Sequence, residues 1–279
     1  MKSFTLRKGN KGQEVGRLQT MLCGLSVDGD FGKKTEAAVR DYQASGSLIV
    51  DGLAGSQTLI SLGIPVYAGI DVYAGNGSID WFEVARGGVR FAWVKCSEGT
   101  TFQDKKRSVN LYGARMNHVA VGGYHFGRPD TYANVAMLDA KNEADNFLKS
   151  YGKFEQGDLP PVLDLEQGIK VDDSYNAEWA LTWLTRVESV TGVRPMVYCA
   201  KWATDLYLRK ADEALLKDLK KYRVWWASYN TGVEPKRPPD VWDEWAVWQW
   251  TGSGSTDGVR GKCDQNWMAG GMLSSLRIC

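Results

Sequence analysis

The sequence predicts an α/β protein: an irregular eight-stranded (β/α) barrel with fewer helices than strands, behind a small all-α three-helix N-terminal domain. Three observations carry that reading. From Tyr67 onward, short apolar or β-branched runs alternate with helical patterns. Ahead of them, a D-G turn and the helix start that follows it occur twice. Acidic and polar residues also gather where the later runs end, and that is the rim on which barrels carry their chemistry. A chain of 279 residues has room for both parts, placed at 1–63 and 64–279.

In the first part, Val15, Leu18, Leu22 and Leu25 recur at helical spacing and give one amphipathic helix. Two more follow from the repeat. Val27-Asp28-Gly29, Phe31-Gly32, Thr35 and Val39 recur in outline as Val50-Asp51-Gly52, Ala54-Gly55, Thr58 and Leu62. Each copy reads as a D-G turn, a further glycine and the polar start of a helix with an apolar stripe. Asp28 and Asp51 are better explained as turn formers than as ligand contacts. Gly63-Ile64-Pro65 closes this part, and so short a junction allows little independent swinging.

In the second part the candidate strands are 68–72, 89–95, 119–125, 161–165, 195–199, 224–228 and 246–250, with a last short one near Cys263. Clear helical patterns lie at 135–148 and 177–190, the latter carrying Trp179, Trp183, Leu184 and Val187. The spacer holding Pro235, Pro238 and Pro239 reads as loop, so the last turns of the TIM-like barrel are irregular. The strand ends, in order, are Asp71; Ser97-Glu98-Gly99; Tyr124-His125-Phe126; Asp164 and Glu166; Tyr198; Trp226, Ser228 and Tyr229; Trp248, Gln249 and Trp250; and Asp264, at the end of the final strand.

The fourth strand carries the strongest chemical signal. In Leu-Pro-Pro-Val-Leu-Asp-Leu-Glu, residues 159–166, Asp164 and Glu166 alternate with Leu163 and Leu165. The two acids therefore project to one side, about 7 Å apart at ~3.3 Å per residue. Mutual repulsion and partial burial should raise the pKa of at least one, as a general acid working near neutral pH requires. The plainer alternative is a strand end emerging into solvent with two surface acids.

Composition narrows the function classes. A formal net charge of +1 leaves no polybasic field for nucleic acid or an anionic membrane. No apolar run approaches the ~18 residues that would span a bilayer, so no membrane insertion is expected. The N-terminus lacks an apolar core of the secretory kind, which predicts synthesis in the cytoplasm and export, if any, by another route. Five scattered cysteines without a C-x-x-C pair read as reduced thiols. With only His118 and His125, a histidine-rich metal site is implausible, and no metal or other cofactor is expected. Twelve tryptophans and twelve tyrosines exceed ordinary core needs and suit a ligand with flat faces, such as a sugar.

Two family resemblances sharpen this. LRKGNKGQEVGRLQTML, VDGDFGKKTEAAVRDYQ and VDGLAGSQTL, spanning about residues 5 to 62, resemble the peptidoglycan-binding domain found at the ends of many cell-wall hydrolases. GIDVY, IDWFEVARGGVRFAWVKCSEGTTFQD, GGYHFGRP, PPVLDLE, PMVYCAKWA, VWWASYN and the WQWTGSG to GVRGKCDQNW stretch occur in the order seen in family-25 glycoside hydrolases. Those are lysozymes that cut the β-1,4 bond between N-acetylmuramic acid and N-acetylglucosamine. The resemblance implies Glu166 as general acid with Asp164, Asp71 and Asp264 as the other active-site carboxylates. It has one departure: Cys96-Ser97-Glu98 stands where the family more often shows Ala-Thr-Glu.

As substrate-lining candidates we take Glu98, Tyr124, His125, Tyr198, Trp226, Trp248 and Gln249. Glu98 also reads as a structural ion pair, His125 as a hydrogen-bonded core residue, and each aromatic as core packing. Asp164 shares a strand with Glu166 and cannot easily reach the far face of the same sugar carbon. That favours assistance by the substrate's own acetamido group, although Asp71 or Asp264 could instead activate water and invert the anomer. The expected partner is bacterial peptidoglycan, and a phage endolysin is the expected role. The alternatives are a non-catalytic wall binder, a host-encoded autolysin and a chitinase-like hydrolase. The last would carry a D-x-x-D-x-D-x-E run that is missing here.

Overall fold

The computed structural model describes residues 4–64, 66–130, 136–168, 173–229, 241–268 and 272–278. Its first part is built from α1 (Gln13–Leu22), α2 (Lys33–Ser45) and α3 (Ser56–Ser61). Leu6, Val15, Leu18, Phe31, Val39, Ala54, Leu59 and Leu62 form its core. Gly29 (φ 68°) and Gly52 (φ 73°) adopt the left-handed backbone that the D-G turns require.

The repeat extends to a polar clamp. Gln19 Nε2 donates to Asp28 Oδ1 at 2.7 Å and to Thr35 Oγ1 at 3.1 Å, while its Oε1 accepts from Gly29 N at 2.9 Å. Gln43 does the same in the second copy, to Asp51 Oδ1 at 2.9 Å and Thr58 Oγ1 at 3.1 Å, with Gly52 N donating at 2.9 Å. Each buried amide thus satisfies a turn and the start of the next helix together. The turn-forming reading of Asp28 and Asp51 matches these bonds.

The second part contains β1 (Tyr67–Val72), β2 (Val89–Glu98), β3 (Phe102–Gln103), β4 (Ala120–Phe126), β5 (Val162–Asp164), β6 (Met196–Ala200), β7 (Arg223–Ala227), β8 (Val247–Gly254) and β9 (Cys263–Met268). In space the order is β1-β9-β8-β7-β6-β5-β4-β2, closed by β1 against β2, with β3 as a short hairpin extension of β2. Pairing is parallel from β1 through β2, β4, β5, β6 and β7 to β8, whereas β9 is antiparallel to both its neighbours.

Around the barrel lie α4 (Trp81–Arg86), α5 (Arg107–Met116), α6 (Ala136–Tyr151), α7 (Asp173–Thr191), α8 (Lys201–Tyr207), α9 (Glu213–Leu219) and α10 (Met272–Leu276). No helix separates β8 from β9, which is why the last strand can return antiparallel. The two helices expected from pattern are α6 and α7, although Val135 falls outside the described residues. The expected loop around Pro235, Pro238 and Pro239 also lies outside them.

Strand alternation sorts the side chains into two layers. Phe91, Trp93, Val162, Met196, Trp225, Val247 and Met268 form the inner cluster; Val94, Leu163, Leu165, Val197, Val224, Trp226 and Trp248 join the outer one with the helices. Trp93 and Trp225 stack inside with centroids 4.9 Å apart. Glycines make room for these rings: a Cβ on Gly69 would meet Phe91 at 2.2 Å, and one on Gly122 would meet Trp93 at 2.6 Å. The N-terminal part touches the barrel through Phe4, edge-on to Trp267 at 5.7 Å, and through Gln13 Nε2, which donates to the Trp245 carbonyl at 3.1 Å.

Candidate active site

The inner layer ends in polar residues at one mouth of the barrel. A cleft of about 240 Å³ there is lined by Asp71, Asp164, Glu166 and Asp264, with Tyr124, Tyr198, Trp225 and Gln249 among its other walls. Asp71 is near the end of β1, Asp164 ends β5, and Glu166 follows two residues later. Leu163 and Leu165, between and before the acids, are buried in the outer core, which turns both carboxylates inward. Burying such leucines contributes about 2 kcal/mol each and so fixes which way the acids face.

Asp264 reaches this mouth by a route other than the one the sequence suggests. It stands near the beginning of β9, not at its end, and pairs across the ladder with Asp71. Because β9 runs antiparallel, its beginning shares a rim with the ends of the parallel strands. The first and last barrel strands are hydrogen-bonded to each other, so Asp71 and Asp264 lie side by side even though one is near the end of its strand and the other near the start.

The electrostatics follow from this crowding. Burial, then the nearby Asp264 charge, pushes the Asp71 carboxyl well above the usual carboxylate range. Asp71 Oδ2 accepts from Gln249 Nε2 at 2.9 Å and Asn266 Nδ2 at 2.8 Å. The two carboxyls act on each other, so the pair holds a proton more tightly than a lone carboxyl would. Burial also raises Asp264, though a hydrogen bond with Asp71 opposes the rise.

Asp164 is raised well above its usual value by burial and then by Glu166, with Lys95 opposing. Its Oδ1 is buried and finds no hydrogen-bond donor among the described residues. Glu166 is half-buried and raised by burial and by Asp264, while the Tyr198 hydroxyl, within hydrogen-bond reach, opposes the rise. Tyr198 and Tyr229 hydroxyls both donate to Gln249 Oε1, at 2.9 and 2.8 Å. Gln249 therefore links the aromatic wall to Asp71 through its two ends.

Of the expected lining residues, Tyr124, Tyr198 and Gln249 face the cleft. Trp226 and Trp248 do not. Both are fully buried in the outer layer, and the inward ring on β7 is Trp225, whose Nε1 donates to Asn266 Oδ1 at 2.8 Å. His125 is likewise buried behind the strand, stacked on Trp183, with Nδ1 2.8 Å from Ser97 Oγ and Nε2 2.7 Å from Glu143 Oε2. Burial pushes this imidazole down to about 3 and Glu143 up to about 8, so His125 is a neutral core residue. Glu98 is an ion-pair residue: Lys95 Nζ lies 2.6 Å from Oε2, and Arg128 Nε lies 2.7 Å from Oε1. Burial raises its pKa, but those cations outweigh it and the net shift is downward.

Lys95, Phe126, Tyr73 and Trp225 line the cleft without having been singled out. Lys95 was legible: it shares parity with Phe91 and Trp93 on β2, and the ladder first slips just beyond it. No group of three or more His, Cys, Asp or Glu residues arranged to hold a metal occurs among the described residues.

Known proteins resemble both parts of the chain. Residues 11–62 match the model for a putative peptidoglycan binding domain. YegX of Escherichia coli (strain K12) is 29% identical over 262 residues, covering 90% of this chain and 89% of that protein. Lysozyme M1 of Streptomyces globisporus is 28% identical over 214 residues, 75% of this chain and 70% of that one. The crystal structure of the bacterial lysozyme from Streptomyces coelicolor superposes with a TM-score of 0.66 at 26% identity, covering 75% of this chain and 94% of that one. The model of glycosyl hydrolases family 25 matches residues 70–259, and the chain belongs to that family.

Proposed function

We propose that this chain is a cell-wall-lytic muramidase that hydrolyses the β-1,4 bond between N-acetylmuramic acid and N-acetylglucosamine, with Glu166 as general acid. The observation that carries the reading is Asp164 Oδ1, a buried carboxylate oxygen without a donor, beside a half-buried glutamate in a cleft lined by Trp225 and Tyr198. Leaving such an oxygen unpaired costs about 1–3 kcal/mol or more, so a substrate group that donates to it binds with a gain. The N–H of a 2-acetamido sugar is such a donor.

In this mechanism Glu166 protonates the departing glycosidic oxygen as the acetamido carbonyl oxygen attacks C1. Asp164 accepts from the acetamido N–H and balances the positive charge that grows on the ring. Glu166, now ionised, removes a proton from the water that opens the cyclic intermediate, and the anomer is retained. Burial and neighbouring negative charge raise both Asp164 and Glu166, which favours keeping a proton on the pair before substrate binds. The acetamido N–H and Lys95 stabilise ionised Asp164 and leave the proton to Glu166. Retention is the outcome of this scheme, whereas Asp71 or Asp264 acting as base on a water would invert the anomer.

The N-terminal domain holds the barrel on insoluble wall, raising the local concentration of cleavable bonds without adding a catalytic contact. A phage endolysin, made in the host cytoplasm and acting on the wall after release, is the role we assign. Borohydride reduction of digested walls followed by sugar analysis tests the reaction. Reduced N-acetylmuramic acid is the expected new end. Reduced N-acetylglucosamine, or equal action on chitin, overturns the bond assignment.

A further inference from the structure

Glu98 lies outside the cleft, yet it sits at the centre of a chain of contacts that runs to the proposed acid. Its Oε2 lies 2.6 Å from the ammonium of Lys95, which lines the cleft and whose side chain is only 14% exposed. Its Oε1 accepts from Arg128 Nε at 2.7 Å. The same guanidinium donates from Nη1 to Gln167 Oε1 at 2.8 Å, and Gln167 directly follows Glu166. Phe126, part of the cleft wall, is held between the two cations, with Lys95 Nζ 4.8 Å and the Arg128 guanidinium carbon 4.9 Å from its ring centre.

Strand β5 ends at Asp164, so Glu166 lies two residues past the paired segment. The last backbone bond before it is Leu165 N donating to the Tyr198 carbonyl at 2.9 Å. Without a further tether, the position of the Glu166 backbone would rest on that bond and on whatever holds the next side chain. We propose that Glu98 is a positioning residue for the reaction: it fixes Lys95 beside Asp164 and, through Arg128 and Gln167, fixes the loop that carries Glu166. The proposal rests on the muramidase reading above.

The charge pattern explains why a glutamate is needed. Two cations meeting at Phe126 repel unless an anion lies between them, and a carboxylate offers each one its own oxygen. A glutamine keeps the shape but turns an N–H₂ toward one cation, so the chain breaks there.

Turnover of soluble, uncross-linked glycan strands by Glu98→Gln, Arg128→Met and the double variant tests this, with Gln167→Ala as a milder break in the same chain. Displacing a catalytic group by about 1 Å lowers rate up to a hundredfold. We expect Glu98→Gln and Arg128→Met each to lower kcat about tenfold or more, with KM changed less than about threefold and melting temperatures accounting for none of the loss. The losses should not multiply in the double variant, because both break one chain. Gln167→Ala should lower kcat in the same direction by less. Single variants with wild-type kcat, losses that multiply, or losses carried by KM overturn the proposal. If the wild type releases no N-acetylmuramic acid ends, the muramidase reading fails instead, so the two failures are distinguishable.

Discussion

Replacing Asp164 by asparagine should make the protein more stable and less active at once. The carboxyl is buried, one oxygen lacks a donor among the described residues, and Glu166 adds repulsion. At pH 7 its charge therefore works against folding. Asparagine removes the charge but not the need for hydrogen bonds, so the gain is about 1–2 kcal/mol. For a chain of this size that raises Tm by roughly 2–8 °C. The sign with pH follows from a folded-state pKa above the unfolded one. The stability linked to the neutral carboxyl is complete below the unfolded value of about 3.9 and is lost as pH rises through the raised folded value. The advantage of Asp164→Asn should thus be present at pH 7 and vanish near pH 3. Calorimetry at both pH values measures it, alongside turnover of soluble glycan strands, which should fall by about 10²–10³. A variant less stable than wild type at pH 7, or equally favoured at both pH values, refutes the reasoning.

The two adjacent tryptophans of β7 should separate function from stability. Trp225→Ala should impair kcat/KM on soluble glycan, because that ring faces the cleft, whereas Trp226→Ala should cost about 3–5 kcal/mol of stability, read by chemical denaturation, with near-normal turnover per folded molecule. Gln43→Ala opens the second polar clamp and should destabilise the N-terminal domain by about 1–3 kcal/mol. Sedimentation with purified walls should then weaken while turnover of soluble strands stays intact.

Much of this architecture could be read from residue order. Eight apolar runs became the eight barrel strands, and the doubled D-G unit became two turn-and-helix starts. The D-x-E of the fourth run faces inward because the leucines beside it are core residues. What failed to transfer was parity and direction. Neighbours on a strand point to opposite faces, so Tyr124 and His125, or Trp248 and Gln249, could not both line one cleft. The run itself does not say which of two aromatics faces in; the register with adjacent strands decides, and it chose Trp225 over Trp226. The reversal of β9 was also hidden, since an isolated strand sequence carries no polarity signal. Only the missing helix between β8 and β9 hints at it. The glutamine clamps were in view as letters, but a buried amide bridging turn and helix has no spacing rule to announce it.

In the proposed reaction Glu166 delivers the proton to the departing sugar. The most direct measurement compares wild type with Glu166→Gln on glycan strands and on an aryl glycoside of GlcNAc-β-1,4-MurNAc, whose phenolate leaves without protonation. A loss of about 10²–10⁴ is expected on strands and a far smaller one on the aryl glycoside. Equal losses on both substrates, or strand cleavage at the wild-type rate, would contradict it.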